Sequence, residues 1–304
     1  MTVNSLGVSV LVAGAVASGA SAQVFRSGID TVMLSVSVAD AKGRPTSTLK
    51  REEFEIFEDG ILQDISVFAR DPQPIALSLL LDSSTSMEGR LNIAQEAAIG
   101  FAKRLGPHDV AQVIDFNSDT RIRQTFTHDV PALEVAIRRI QAGGSTALYT
   151  ALYIAMSELT RVSAEMSDVI RRQAIVLLSD GENTISLKTY DDVADLAKRS
   201  DVTIYAIGLR EKAPDEPRKF SQADFALRTL SQITGGKVFF VEDVRQLPAI
   251  YTQIAEELAT QFVVGYNPKN PKRDGAWRQV NVRVSRPETI ARTRTGYFGP
   301  SNRR

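Results

Sequence analysis

The sequence predicts an α/β protein: a Rossmann-like open sheet with helices on both faces, inserted in a small β-sandwich built from both chain ends. Three observations carry this. From Pro74 onward, continuous apolar runs alternate with segments of helical periodicity, as in a parallel sheet covered on both faces. On either side of that segment the pattern is strand-like instead. Neither flank alone has enough strands to bury a face, because isolated hairpins are marginal in water, so the two flanks are expected to share one sandwich.

Taken in order, Val32, Leu34, Val36 and Val38 alternate with Met33, Ser35 and Ser37, the period of a half-buried strand, and Asp40–Pro45 turns the chain. Phe54–Glu58 and Ile65–Phe68 read as a hairpin joined through Asp59-Gly60. Core strands are expected at 75–81, 110–116, 174–179, 202–208 and 237–241. Ile93, Ala94, Ala97, Ala98, Phe101 and Leu105 mark the buried face of a first helix, and further helices are expected near 129–141, 147–164, 190–199, 223–233 and 244–259. Arg121–Phe126 alternates rather than running apolar, which suits an antiparallel edge strand. Strands return at Gln261–Tyr266, Trp277–Val284 and Ile290–Arg294. The expected division is a leader at 1–22, sandwich at 23–73 and 261–304, and the α/β domain at 74–260.

The 304 residues are 43% hydrophobic and 24% charged, with formal net charge zero, which gives no overall electrostatic argument for nucleic acid or an anionic membrane. Charge is uneven: from Gln261 to the end, ten Lys or Arg face only Asp274 and Glu288. Such a basic β-face fits either solvated edge positions or a polyanion. With no cysteine in the chain, disulfides and thiolate metal sites are excluded. Residues 5–17 are apolar and uncharged, followed by the small residues Ser18-Gly19-Ala20-Ser21-Ala22. This is the pattern of a signal peptide cut after Ala22, so the protein is expected to be secreted or periplasmic, with no transmembrane segment after cleavage.

Five oxygen-bearing side chains stand out. Asp82, Ser84 and Ser86 follow the apolar run Leu79-Leu80-Leu81, Thr146 follows Gly143-Gly144-Ser145, and Asp180 ends the run Ile175–Ser179. In an open α/β sheet the carboxyl ends of the strands converge on a ligand crevice, so the two carboxylates are expected to meet there. Asp and Ser before a helix are also ordinary N-cap residues, which is the plainer explanation of the first three. Carboxylate and hydroxyl oxygens without thiolate or imidazole select Mg²⁺, with Mn²⁺ or Ca²⁺ as alternatives.

These three elements, in this order and spacing, resemble the metal-ion-dependent adhesion site of the von Willebrand factor A domain, which the segment from about Pro74 to Thr260 resembles throughout. Phe54–Gly60, Val264–Pro268, Asp274–Trp277 and Gly296-Tyr297 are similar to flanking motifs of bacterial von Willebrand factor A-related proteins. The resemblance implies that Ser84 and Ser86 bind the metal directly, while Asp82, Thr146 and Asp180 exchange between direct and water-mediated contact. It also implies that the last helix, near 244–259, can shift with metal ligation.

The function expected is a secreted, non-catalytic protein-binding module that captures an Asp or Glu of a protein partner through the metal. A Mg²⁺-dependent hydrolase or phosphoryl-transfer enzyme is the chief rival, and a structural scaffold with a polyanion-binding β-face the third reading. For an enzyme, His108 and His128 sit in a turn and before a helix, while Glu88 and Glu182 are the remaining acid/base candidates. Neither a P-loop nor a dinucleotide-binding glycine motif is present, so no nucleotide is expected. Glu256 and Glu257 read as exposed helix residues, with a ligand for a neighbouring copy's metal as the sharper alternative.

Overall fold

The computed structural model describes residues 31–70, 73–165, 171–180, 183–210 and 221–301. The expected leader, Gly181 and Glu182 lie outside the described residues. The strands are β1 (Val32–Asp40), β2 (Phe54–Glu58), β3 (Ile61–Gln63), β4 (Ile65–Ala69), β5 (Ile75–Asp82), β6 (Val110–Phe116), β7 (Thr120–Thr127), β8 (Arg172–Ser179), β9 (Val202–Leu209), β10 (Val238–Val241), β11 (Phe262–Tyr266), β12 (Trp277–Val284), β13 (Thr289–Arg292) and β14 (Gly296–Phe298). The helices are α1 (Leu91–Ala102), α2 (Val130–Arg138), α3 (Leu148–Glu165), α4 (Tyr190–Arg199), α5 (Gln222–Ile233) and α6 (Leu247–Thr260).

The central sheet has the order β10-β9-β8-β5-β6-β7, parallel throughout except for β7, which pairs antiparallel at the edge as its alternation predicts. Every residue of β5, β6 and β9 is buried, which is why these strands read as continuous apolar runs. Successive side chains nevertheless part to opposite faces. Leu77, Leu79 and Leu81 pack with α1, α2 and α6, whereas Ala76 and Leu80 pack with α3, α4 and α5. The first helix keeps the expected face except for Ile93, which is 39% exposed, while Leu91 and Ile99 are buried instead.

Chain order runs outward from β5 in both directions, so β5 and β8 are neighbours at the point where the winding reverses. A crevice opens beyond the carboxyl ends of two such strands because their connections leave on opposite faces. Asp82 ends β5 and Ser179 ends β8.

The chain ends build two further four-stranded sheets, β13-β1-β11-β4 and β14-β12-β2-β3. One core lies between them: Val32, Leu34, Val36, Val38, Phe262 and Val264 from the first sheet meet Phe54, Ile56, Val280 and Val282 from the second. Phe54 reaches across the interface, its ring centroid 5.0 Å from that of Phe262 and 5.3 Å from that of Phe68. A buried ionic cluster also joins the two ends of the chain. Arg278 Nη1 lies 3.4 Å from Glu58, and the hydroxyls of Tyr266 and Tyr297 both donate to that carboxylate, at 2.8 and 2.7 Å.

Two features of the flanks differ from expectation. Asp59 (φ 48°) and Gly60 (φ 80°) do form a tight hairpin turn, but it joins β2 to β3. At Asp64 the chain leaves that sheet, and β4 pairs with β11 in the other one. The apolar residues on both sides of Asp64 hid this crossover. The short strand β14, which pairs with β12, was also not anticipated.

The tail cations are largely matched. Besides Arg278, Arg286 pairs with Glu53 at 2.8 Å, Arg292 with Glu257 at 2.5 Å, Lys269 with Asp64 at 3.0 Å, and Arg294 with Asp201. The acidic partners come from the rest of the chain, so five of the eight tail cations among the described residues are matched by carboxylates distant in sequence. Glu257 is correspondingly not an exposed helix residue. It is 3% exposed, takes a hydrogen bond from Tyr205 at 2.8 Å and faces the sandwich, out of reach of a neighbouring copy.

Candidate metal centre

The N-cap explanation of the Asp-Ser-Ser segment does not hold. The first helix begins only at Leu91, with Arg90 at its N-cap, and the residues just after β5 form a 3₁₀ turn, Thr85–Met87, whose N-cap Ser84 makes no side-chain capping bond. The serine hydroxyls point elsewhere. Ser84 Oγ lies 3.0 Å from Ser86 Oγ, and Ser86 Oγ donates to Asp180 Oδ1 at 2.8 Å. The N-terminus of the first helix therefore lies several residues beyond Ser86.

Asp82 is fully buried at the strand end. Its Oδ1 accepts from the Ser84 backbone N–H at 2.8 Å and its Oδ2 from the Ser179 hydroxyl at 2.6 Å. Burial raises its pKa above the ordinary carboxylate value, with the Asp180 charge adding to the rise, against the lowering by the Ser179 and Ser84 bonds. No Lys or Arg lies within ion-pair distance of Asp82 among the described residues. Asp180, by contrast, has a cation at its outer side: Arg90 Nη1 is 3.2 Å from Oδ2.

Thr146 arrives on the loop before α3. Gly144 has φ 81°, a conformation glycine adopts without strain, and a Cβ there would stand 2.7 Å from Ser118 Oγ. The loop is tied to the Asp-Ser-Ser segment by two backbone bonds, Gly143 N to Ser83 O at 2.8 Å and Thr85 N to Gly144 O at 3.0 Å. From the other side, Thr184 clasps Thr146. Its hydroxyl accepts from Thr146 N at 2.8 Å, and its N–H donates to Thr146 O at 3.0 Å.

Four of the five expected side chains, Asp82, Ser84, Ser86 and Asp180, are thus joined in one hydrogen-bonded chain. Thr146 is brought beside them through its backbone. The donors are all hard oxygens, and among the described residues no group of three or more His, Cys, Asp or Glu offers a competing centre. A buried carboxylate lacking a positive partner, beside two hydroxyls and a second carboxylate, fits a small divalent cation. Sequence reasoning missed the supporting residues Ser179, Arg90 and Thr184. Ser179 reads only as the last strand residue, and the other two carry no local signal.

Outside this centre, His108, His128 and Glu88 are all exposed. None is enclosed beside the carboxylates as a general base would be.

The open, doubly wound sheet places these hard oxygens at its switch point, where ligands bind in α/β folds. The von Willebrand factor type A domain family matches residues 77–253, more than half of the chain, and the protein belongs to that family. Domains of this family are protein-interaction modules. In sequence, the chain is 25% identical over 205 residues to a UPF0353 protein of Mycolicibacterium vanbaalenii, covering 62% of this chain and 61% of that one. A similar match, 24% identical, is found in Mycobacterium tuberculosis. In structure, a von Willebrand factor type A protein from Catenulispora acidiphila aligns with TM-score 0.51 at 12% identity, covering 91% of this chain and 76% of that one. Proximal thread matrix protein 1 of the mussel byssus aligns with TM-score 0.50 at 14% identity, over 63% and 49%. At these identities the structural likeness speaks for the fold alone. No described helix is long and apolar enough to cross a membrane.

Proposed function

We propose that the protein is a secreted or periplasmic, non-catalytic module that binds a carboxylate of a protein partner through a divalent cation held by Asp82, Ser84, Ser86, Thr146 and Asp180. The observation that carries this reading is the buried, uncompensated Asp82 at the end of a hydrogen-bonded chain running through Ser84 and Ser86 to Asp180. Bound there, Mg²⁺ would supply a coordination position for one oxygen of a partner's Asp or Glu. Asp82 and Asp180 offset the cation's charge, Ser84 and Ser86 offer neutral oxygens, and the glycine loop delivers Thr146. Arg90, beside Asp180, adds a fixed positive charge at the rim that favours an incoming anion.

In this reading the domain of 74–260 carries the site, the sandwich of 23–73 and 261–304 displays it, and the apolar run before Ala22 directs export. The exposed histidines and Glu88 lend no support to a hydrolase. The ion pairs of Lys269, Arg278, Arg286, Arg292 and Arg294 weaken the case for a polyanion-binding face. The test is binding to immobilised peptides that differ only as Asp against Asn or Glu against Gln, with Mg²⁺ and with chelator. Retention of acidic peptides with Mg²⁺ alone, lost in Thr146→Ala, is expected. Equal retention of acid and amide peptides contradicts the proposal.

A further inference from the structure

At the opposite end of the central sheet, where the parallel strands begin, a cleft of ≈ 410 Å³ opens between the α/β domain and the sandwich. Its lining includes Arg171, Arg172, Gln173, Thr293 and Arg294. Each of these five residues carries a buried polar atom with no hydrogen-bond partner: Nε of the three arginines, Oε1 of Gln173 and Oγ1 of Thr293. Buried polar atoms are overwhelmingly paired in folded proteins, so five unpaired ones beside one cleft mark it as a polar region where water or a ligand is expected.

The charges point the same way. Arg172 is only 8% exposed and burial pushes its guanidinium pKa down, yet among the described residues its side chain donates to neutral oxygens, Gln261 Oε1 and Gln73 O, both at 2.9 Å. Among the described residues, the Arg171 side chain meets no hydrogen-bond or ion-pair partner, and its Nε is buried. Arg294 is partnered, by Met33 O at 3.1 Å and by Asp201, which also lines the cleft, so among the described residues the guanidinium groups of Arg171 and Arg172 lack a carboxylate partner. An uncompensated charge held away from water is costly, and an anion removes that cost.

We propose that this cleft binds a small organic phosphate, its phosphate held by Arg171, Arg172 and Arg294 and its hydroxyl-bearing body facing Gln173 and Thr293. Two unmatched guanidinium groups suit a dianion, and planar guanidinium groups suit phosphate oxygens. Gln173 and Thr293 add polar groups to the lining. Leu34, Val162, Val202 and Val263 supply apolar walls, and the volume is that of a small-molecule site.

Calorimetry on the full chain, at constant ionic strength, tests this with glycerol phosphate, inorganic phosphate and succinate. Saturable binding of glycerol phosphate at one site is expected, weakened about tenfold or more in Arg171→Gln, since a charge-assisted contact is lost. Arg161→Gln, on an exposed arginine paired within α3, is expected to leave it unchanged. Absence of saturable binding up to millimolar concentration overturns the proposal. So does affinity unaltered in both Arg171→Gln and a folded Arg172→Lys. Preference for succinate over both phosphates overturns the assignment of phosphate.

Discussion

The Ser179 hydroxyl donates to Asp82 Oδ2 at 2.6 Å, joining the last residues of two neighbouring parallel strands that stand 97 positions apart in sequence. The bond fixes the carboxylate's rotamer, so that its Oδ1 takes the Ser84 N–H. In Ser179→Ala a buried charged acceptor loses one of its donors, which is expected to cost about 1.5–3 kcal/mol in urea unfolding. Because an orienting partner of a ligand is lost, Mg²⁺ affinity is expected to fall about tenfold. Unchanged affinity would place Asp82 outside the metal's reach.

Burial raises the Asp82 pKa, so its charged form is disfavoured when no cation faces it. Metal-free Asp82→Asn is therefore expected to unfold at higher urea than the metal-free wild type. Mg²⁺ should reverse that order, since saturating ligand at a hundred times its dissociation constant adds about 2.7 kcal/mol to the wild type alone. Identical urea midpoints with and without Mg²⁺ would show that Asp82 does not sense the cation.

Gly144 holds the Thr146 loop in a conformation that a Cβ would disturb twice, through its φ of 81° and through contact with Ser118 Oγ. Gly144→Ala is expected to destabilise the chain by about 1–2 kcal/mol and to weaken metal binding without removing a ligand. Structural comparison of the variant should show the 143–146 loop displaced from Ser83.

At the other end of the site's own domain, α6 is tied to the sandwich. Glu257 binds Tyr205 and Arg292, and Gln261 reaches Tyr205, Ser37 and Arg172. Arg292→Ala leaves a nearly buried carboxylate without its cation, at a cost on the order of 2–3 kcal/mol. Hydrogen exchange is expected to rise in 247–266 and to stay unchanged in α1. Uniform acceleration throughout the chain would mean that the junction is not a separate unit.

The cluster around Glu58 binds the two ends of the chain. Arg278→Met strands that carboxylate between two tyrosines and is expected to cost about 3–5 kcal/mol, read from the urea midpoint.

The architecture was legible because its signals are local. Fully buried strands such as β5 and β9 read as apolar runs, and the exposed edge strand β7 reads as alternation. The convergence of Asp82, Ser84, Ser86 and Asp180 was legible because these residues follow the ends of two neighbouring core strands. What stayed hidden depends on residues distant in sequence. Nothing near Asp64 tells that β4 leaves its hairpin for β11, nothing in α6 tells that Glu257 will meet Arg292, and the basic tail looks unbalanced because its acidic partners lie elsewhere. Ile93 fits the apolar face by spacing, yet α1 turns Leu91 and Ile99 inward in its place.

Calorimetric titration of Mg²⁺ into the chelator-stripped protein, alongside Asp82→Ala, tests the central claim most directly. Saturable binding of one cation to the wild type, absent from a folded Asp82→Ala, is the predicted result. No binding to the wild type, or equal binding to both proteins, would contradict a metal centre at this end of the sheet.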